Sequence, residues 1–163
     1  MNDTDRNELL DKILGRQIQW IGAADSRITT LLGIDTAMLG VLATNAQALK
    51  VWTVLDGCVV CLAVVALALS LFSIGMATVP RTSGPKQSLI FFQGIADRDA
   101  NQFLNAIEKL TEADLMRDLA HQAHRNAQIA SIKFRWVARG LHALIAAVIP
   151  WALAVFLVYQ QHP

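Results

Sequence analysis

A chain of 163 residues that is 54% hydrophobic and only 17% charged lies outside the usual soluble composition, in which about a quarter of residues carry charge. The formal net charge is +1 and the mean hydropathy is positive, which excludes the strongly basic balance of a nucleic-acid-binding protein. Length sets a single domain as the default. The first residues, MNDTDRNELLDK, are acidic and polar rather than basic and then apolar, so no cleavable signal peptide is expected.

Residues 4–27 predict an amphipathic helix, capped by Thr4 or Asp5 with Glu8 placed to help. Leu10, Leu14, Ile18 and Ile21 recur at a helical period beside Ile13 and Trp20, with Asp11, Lys12, Arg16 and Gln17 on the wetter face. Nothing stops the helix before the first spanning segment, 28–49, whose only charge is Asp35. Gly33, Ala37 and Gly40 there have the small-residue spacing that lets membrane helices approach closely. An acid at this depth is a functional candidate; the alternatives are a place near the headgroups or a hydrogen bond to a neighbouring helix.

A short polar hairpin is expected over 45–56, with Lys50 as its cation and Trp52 as an interfacial anchor. The run Gly57 to Val79 then holds no charge and is closed by Pro80; the second span is taken as 53–79. At about 1.5 Å per residue it is long enough for a hydrocarbon core of roughly 30 Å. Cys58 and Cys61 fall inside it. Their C-x-x-C spacing invites a metal or redox reading, but a thiolate at membrane depth is costly, and two small apolar side chains are the plainer reading.

Prolines, Gly84 and cations make a loop from Pro80, followed by the short apolar patch Ser88-Leu-Ile-Phe-Phe92, which is too short to span and must dock or bind. Asp97 is read as capping a helix through Leu110, with Phe103, Leu104, Ile107 and Leu110 on one face. Thr111-Glu-Ala-Asp114 has the form of a capping box. The helix it opens carries the stripe Leu115, Leu119, Ala123, Ala127, Ala130, Phe134, Val137, whose alanines suggest close packing on a partner, the helix at 4–27 being the candidate. It runs without a stop into a third span at 140–160, with Pro150 as a kink and Trp151 and Tyr159 as interface residues.

Lys12, Arg16, Arg27, Arg81, Lys86, Arg98, Lys133, Arg135 and Arg139 fall on one side of these spans and Lys50 alone on the other. The positive-inside bias then puts the N-terminus and 80–139 in the cytoplasm and the C-terminus in the periplasm. The expected fold is an all-α membrane protein of one domain: a cytoplasmic helix, three transmembrane helices, and a cytoplasmic helical bundle continuous with the first and third spans.

No P-loop, H-E-x-x-H or G-x-S-x-G motif is present, so no catalytic residue is assigned and no enzyme is expected. His121 and His124 with Asp118 have a spacing that admits a metal, although two solvated histidines are the plainer reading and no metal is assigned. What the chain offers is cations among aromatics: Lys133-Phe-Arg135-Trp136, Asp25 and Arg27 near Trp20, and Ser88, Phe91 and Phe92. Arg or Lys with a hydroxyl can hold a phosphate and an aromatic face can stack on a base. The alternative is that these cations obey the inside bias and the tryptophans mark the interface.

Three blocks together resemble the Pycsar transmembrane effectors (PycTM). They are Ile21-Gly-Ala-Ala-Asp25-Ser-Arg27 leading into Leu31-Leu-Gly-Ile-Asp-Thr-Ala-Met-Leu-Gly40, Pro80-Arg81 with Ser88-Leu-Ile-Phe-Phe92 and Gly94-Ile-Ala96, and Leu119 to Leu141 with Lys133-Phe-Arg-Trp136. Asp35 departs from the pattern, where an uncharged polar residue such as Asn is expected. The resemblance implies an antiphage effector at the bacterial inner membrane. It would sense cyclic CMP or cyclic UMP made by a pyrimidine cyclase encoded nearby, and need no other cofactor. By impairing the membrane it would cause abortive infection; an accessory subunit of a larger membrane complex is the alternative. It also implies that Asp25, Arg27, Arg81, Ser88, Phe91, Phe92, Lys133, Arg135 and Trp136 serve ligand binding or coupling, or hold the bundle together. Three helices cannot line a wide path, so a homo-oligomer in the bilayer is expected.

Overall fold

The computed structural model describes residues 3–48, 52–82, 84–85 and 87–160, all helix and loop with no strand among them. Five helices follow one another: α1 (Asp3–Ala48), α2 (Val54–Thr78), α3 (Phe92–Ala96), α4 (Ala100–Glu108) and α5 (Glu112–Gln160). The chain divides into two compact units, one of residues 1–23 with 80–132, the other of 24–79 with 133–163. Helices α1 and α5 contribute residues to both.

Three helices, α1, α2 and α5, are long and apolar enough to cross a bilayer. In α2, 25 residues rise about 37 Å. In the unit that holds them, Leu62, Phe72, Ile145, Ile149 and Phe156 are exposed, an outward apolar surface suited to lipid rather than water.

The inward faces of these helices repeat in alternating steps of three and four. Buried or half-buried positions are Ala24, Ile28, Leu31, Asp35, Met38 and Leu42 on α1, and Ala63, Leu67, Ser70, Ile74 and Ala77 on α2. On α5 they are Val137, Gly140, Leu144, Ala147, Trp151, Ala154 and Val158. This is the 3.5-residue spacing of a knobs-into-holes seam. Lipid tails are as apolar as these side chains, so close packing and hydrogen bonds hold such a bundle, and the fully buried Ala63, Ala77 and Ala147 permit the approach. Within it α1 and α5 run in the same direction, since Lys133 donates to Asp25 and, further along both helices, Trp151 Nε1 donates to the Met38 carbonyl at 2.9 Å.

In the other unit Leu14, Leu119 and Ala123 form a small core, with Leu10, Ile13, Ile90 and Leu115 packed on it. Burial of Leu14 and Leu119 is worth roughly 2 kcal/mol each where water is the reference. Lys12 donates to Glu8 at 2.8 Å and holds that carboxyl below its ordinary range, but the pair is exposed and adds little.

The structure corrects several expectations. Thr4 and Asp5 lie inside α1 rather than at its cap. Ile18 and Trp20 are exposed, because the buried face passes through half-buried Gln17 instead. Of the hairpin expected at 45–56, residues 45–48 belong to α1, where Thr44 and Asn45 hydrogen-bond the carbonyls of their own helix, and 49–51 lie outside the described residues. Thr53 then starts α2 in a capping box with Asp56, whose carboxylate accepts the Thr53 N–H while its own N–H donates to Thr53 Oγ1. Lys50 and Lys86 lie outside the described residues. Asp97 ends α3, and it is Asp99 that caps α4, accepting the Gln102 N–H at 2.8 Å. That helix buries none of its residues and leaves Leu104 and Ile107 exposed. Thr111 does cap α5, its Oγ1 accepting the Asp114 N–H. Trp151, expected at the membrane interface, is half-buried between α1 and α5.

Candidate functional site

The nine sequence-derived candidates fall into two sets. In the spanning unit, Lys133 of α5 is 12% exposed and is ion-paired to Asp25 of α1. Next to this pair, the Arg27 guanidinium lies 5.4 Å from the centre of the Phe134 ring. Trp136 is packed on both sides by its own chain, with Arg139 4.5 Å from its centroid and Phe72 edge-on at 6.3 Å. Arg135 is exposed.

The other set, Ser88, Phe91 and Phe92 with half-buried Arg81, belongs to the unit that carries the loop. Ser88 is buried, and its hydroxyl oxygen accepts the N–H groups of Ile90 and Phe91 at 3.1 and 2.8 Å. This ST turn bends the apolar patch so that Ile90 reaches the core, Phe91 is buried and Phe92 faces out. The two rings sit 4.7 Å apart. The patch thus docks on its own unit.

Two side chains that the sequence did not assign to this loop, Arg98 and Asp118, shape it. Arg98 Nη2 donates to the Gln87 carbonyl at 2.8 Å, and Nη1 donates to those of Ser88 and Gly94. Asp118 of α5 accepts the Leu89 N–H on Oδ2 at 2.7 Å, which ties the loop to α5. His124 Nε2 lies 3.0 Å from the Gln128 amide nitrogen, and no three metal-ligating side chains converge among the described residues.

The loop borders a half-open cavity of about 510 Å³ lined by Thr82, Gly84, Pro85, Phe91, Gln93, Gly94 and Asp97. It offers an aromatic wall, an amide and a carboxylate, with Arg81 next in the chain to Thr82. A second hollow of about 360 Å³ lies over Ser88, Asp114, Arg117 and His121. The spanning unit has its own groove of about 370 Å³, with Ser26, Arg27 and Thr30 at one side and Leu31, Val137 and Leu141 among the rest.

Asp35 is fully buried within the spanning unit, where its Oδ2 accepts the Ser70 hydroxyl at 2.7 Å. Of the alternatives open from the sequence, the hydrogen bond to a neighbouring helix is the one observed. Ser70 itself carries no sequence signal, because its partners lie on other helices far along the chain.

Comparison with curated proteins and with solved structures returned no match. A family model described as the Pycsar effector protein domain (PycTM) does match, over residues 9–160. That range takes in all three spanning helices and the whole loop from Pro80 to Thr111. With a match of that extent, the chain belongs to the Pycsar effector family and is a membrane protein of the antiphage defence class.

Proposed function

We propose that this protein senses a cyclic pyrimidine nucleotide, cCMP or cUMP, and in response impairs the integrity of the inner membrane, so that an infected cell dies before phage is released. The nucleotide comes from a partner pyrimidine cyclase encoded nearby. The observation that carries this reading is the family match across residues 9–160, which takes in the loop and all three spans in one family domain. Its volume supports the loop cavity as the place of sensing, since small-molecule sites run from roughly 300 to 1,000 Å³. There Phe91 supplies an apolar wall, Gln93 and Asp97 supply groups for the pyrimidine edge, and Arg81 the charge for the cyclic phosphate. The N-terminus and 80–139 face the cytoplasm, where the nucleotide is made, and the C-terminus faces the periplasm. Helices α1 and α5, which supply both units, couple sensing to the spans. Assembly into homo-oligomers enlarges the lesion beyond what three helices allow.

Protein reconstituted into liposomes is expected to release a trapped dye only when cCMP or cUMP is added. Leakage indifferent to every cyclic nucleotide would sink the gating claim. Arg81→Ala and Lys133→Ala are expected to blunt the response with insertion intact, and a normal response from both would remove the phosphate and coupling roles. The exposed Phe92, Leu104 and Ile107 favour a second reading, an accessory subunit of a larger membrane complex. Stable co-purification with an unrelated membrane protein and no nucleotide binding would select it.

A further inference from the structure

The groove in the spanning unit has a chemistry that the sensing role does not use. Its walls are Ser26, Arg27, Thr30 and Leu31 of α1 against Phe134, Val137, Ala138 and Leu141 of α5. Polar groups stand only at one end. Arg27 is held over the Phe134 ring, which leaves its N–H fork open to an anion. Among the described residues no carboxylate pairs with Arg27, because Asp25, two positions away, takes Lys133. Thr30 Oγ1 donates to the Ser26 carbonyl, which spends that proton on its own helix and leaves the Ser26 hydroxyl as the donor beside the guanidinium. Toward the middle of the span the floor is Leu31, Val137, Ala138 and Leu141, side chains with no hydrogen-bonding group.

We infer that this groove is a lipid site that takes one anionic phospholipid, with the phosphate on Arg27 and the Ser26 hydroxyl and one acyl chain along the apolar floor. A basic pocket between spanning helices at headgroup level is the arrangement that captures anionic headgroups. The floor argues against a soluble phosphate ester. A base or ribose laid there would bury polar edges without partners, whereas an acyl chain loses nothing. The single cation discriminates between headgroups, because a net anionic lipid gains from Arg27 and a choline headgroup brings its own positive charge beside it. This inference goes beyond the nucleotide-sensing role and holds whether or not the protein responds to a nucleotide.

The test is native mass spectrometry of the full-length protein in detergent, with phosphatidylglycerol or phosphatidylcholine added. The wild type is expected to retain phosphatidylglycerol preferentially. Arg27→Gln should lower that retention about fivefold, the effect of one interfacial cation, and Arg27→Lys should keep most of it. Ala138→Phe, at an exposed wall position, should fill the floor and expel both lipids. Arg139→Gln serves as the control, since Arg139 lies over Trp136 and outside the groove. Equal loss in Arg139→Gln and Arg27→Gln would assign the preference to general surface charge and overturn the site. Undiminished phosphatidylglycerol retention in both Arg27→Gln and Ala138→Phe would do the same. Full displacement by excess inorganic phosphate or by cCMP would show a soluble-anion site instead. Circular dichroism on each variant separates loss of the groove from loss of the fold: a variant that unfolds is replaced by Ser26→Ala, which removes only a hydroxyl and should weaken retention.

Discussion

The Ser70 hydroxyl donates to Asp35 Oδ2 at 2.7 Å while its oxygen lies 3.0 Å from the Gly140 carbonyl, so one proton serves two acceptors and ties α2 to both α1 and α5. Asp35 and Ser70 are both fully buried, and Asp35 Oδ1 meets no partner among the described residues. A network left partly satisfied gains from another donor. Asp35→Asn provides one at the same shape and is expected to melt at or above the wild-type temperature in detergent. Asp35→Ala and Ser70→Ala should each cost about 1–2 kcal/mol. A double-mutant cycle read by thermal unfolding checks the coupling, and strictly additive losses would show that the two side chains do not support one another.

Close approach of α2 and α5 rests on Gly140. A Cβ there would stand 3.3 Å from Ile74 Cγ1 and 3.5 Å from the Ser70 carbonyl. The nearest atom belongs to a side chain that can shift slightly, so Gly140→Ala should be nearly neutral. Gly140→Leu has nowhere to go without parting the helices, and should lose about 1–3 kcal/mol by overpacking. Melting curves of the two variants, compared with wild type, decide the matter.

The long helices, the capping site at Thr111 and the presence of an acid in the first span were all legible in the sequence, because each is a local pattern. Thr111 with Asp114 is an example. What was not legible depends on a difference of a tenth of a residue per turn or on distant partners. A 3.6-residue stripe through Leu10, Leu14, Ile18 and Ile21 looks sound, yet the buried face follows a 3.5-residue period through Gln17 and Ala24 and leaves Ile18 out. Asp97 and Asp99 are equally good caps on paper, and the five-residue α3, which no periodicity announces, decides between them by ending at Asp97. For the candidate site, the sequence named Ser88 and Phe91 for this loop but read Arg98 only as a cation of the inner side and Asp118 only as a possible metal ligand, because their partners are backbone carbonyls and an N–H and therefore have no residue-type signature.

Lys133 and Asp25 form an ion pair in which Lys133 is 12% exposed and Asp25 51% exposed. Half in solvent, such a pair is worth at most about 1 kcal/mol. Lys133→Ala should therefore lower the melting temperature by a few degrees only. The charge-swapped pair Asp25→Lys with Lys133→Asp should recover most of it. Recovery of stability without recovery of nucleotide-triggered leakage would assign Lys133 a role beyond the pair, whereas joint recovery would mean that the pair acts simply as a clasp between α1 and α5.

The loop around Phe91 is held by one guanidinium. Arg98 reaches the carbonyls of Gln87, Ser88 and Gly94 at once from two separate nitrogens of its planar fork, whereas an ammonium would have to reach all three from one. Gly94 is pressed against the Ser88 carbonyl oxygen, where a Cβ would collide with backbone that Arg98 already fixes. Arg98→Ala and Arg98→Lys are both expected to loosen the loop, at about 2–3 kcal/mol for the lost charge-assisted bonds, and Gly94→Ala should do so by steric displacement. The readout is chymotryptic cleavage at Phe91 and Phe92. Phe91 is buried in the wild type, so its cutting should accelerate at least several-fold in all three variants while the spanning helices keep their helical signal. If Arg98→Lys resists cleavage as the wild type does, charge alone suffices and the fork geometry is immaterial. Because the same turn forms the wall of the loop cavity, variants that cut faster should also lose nucleotide-triggered leakage.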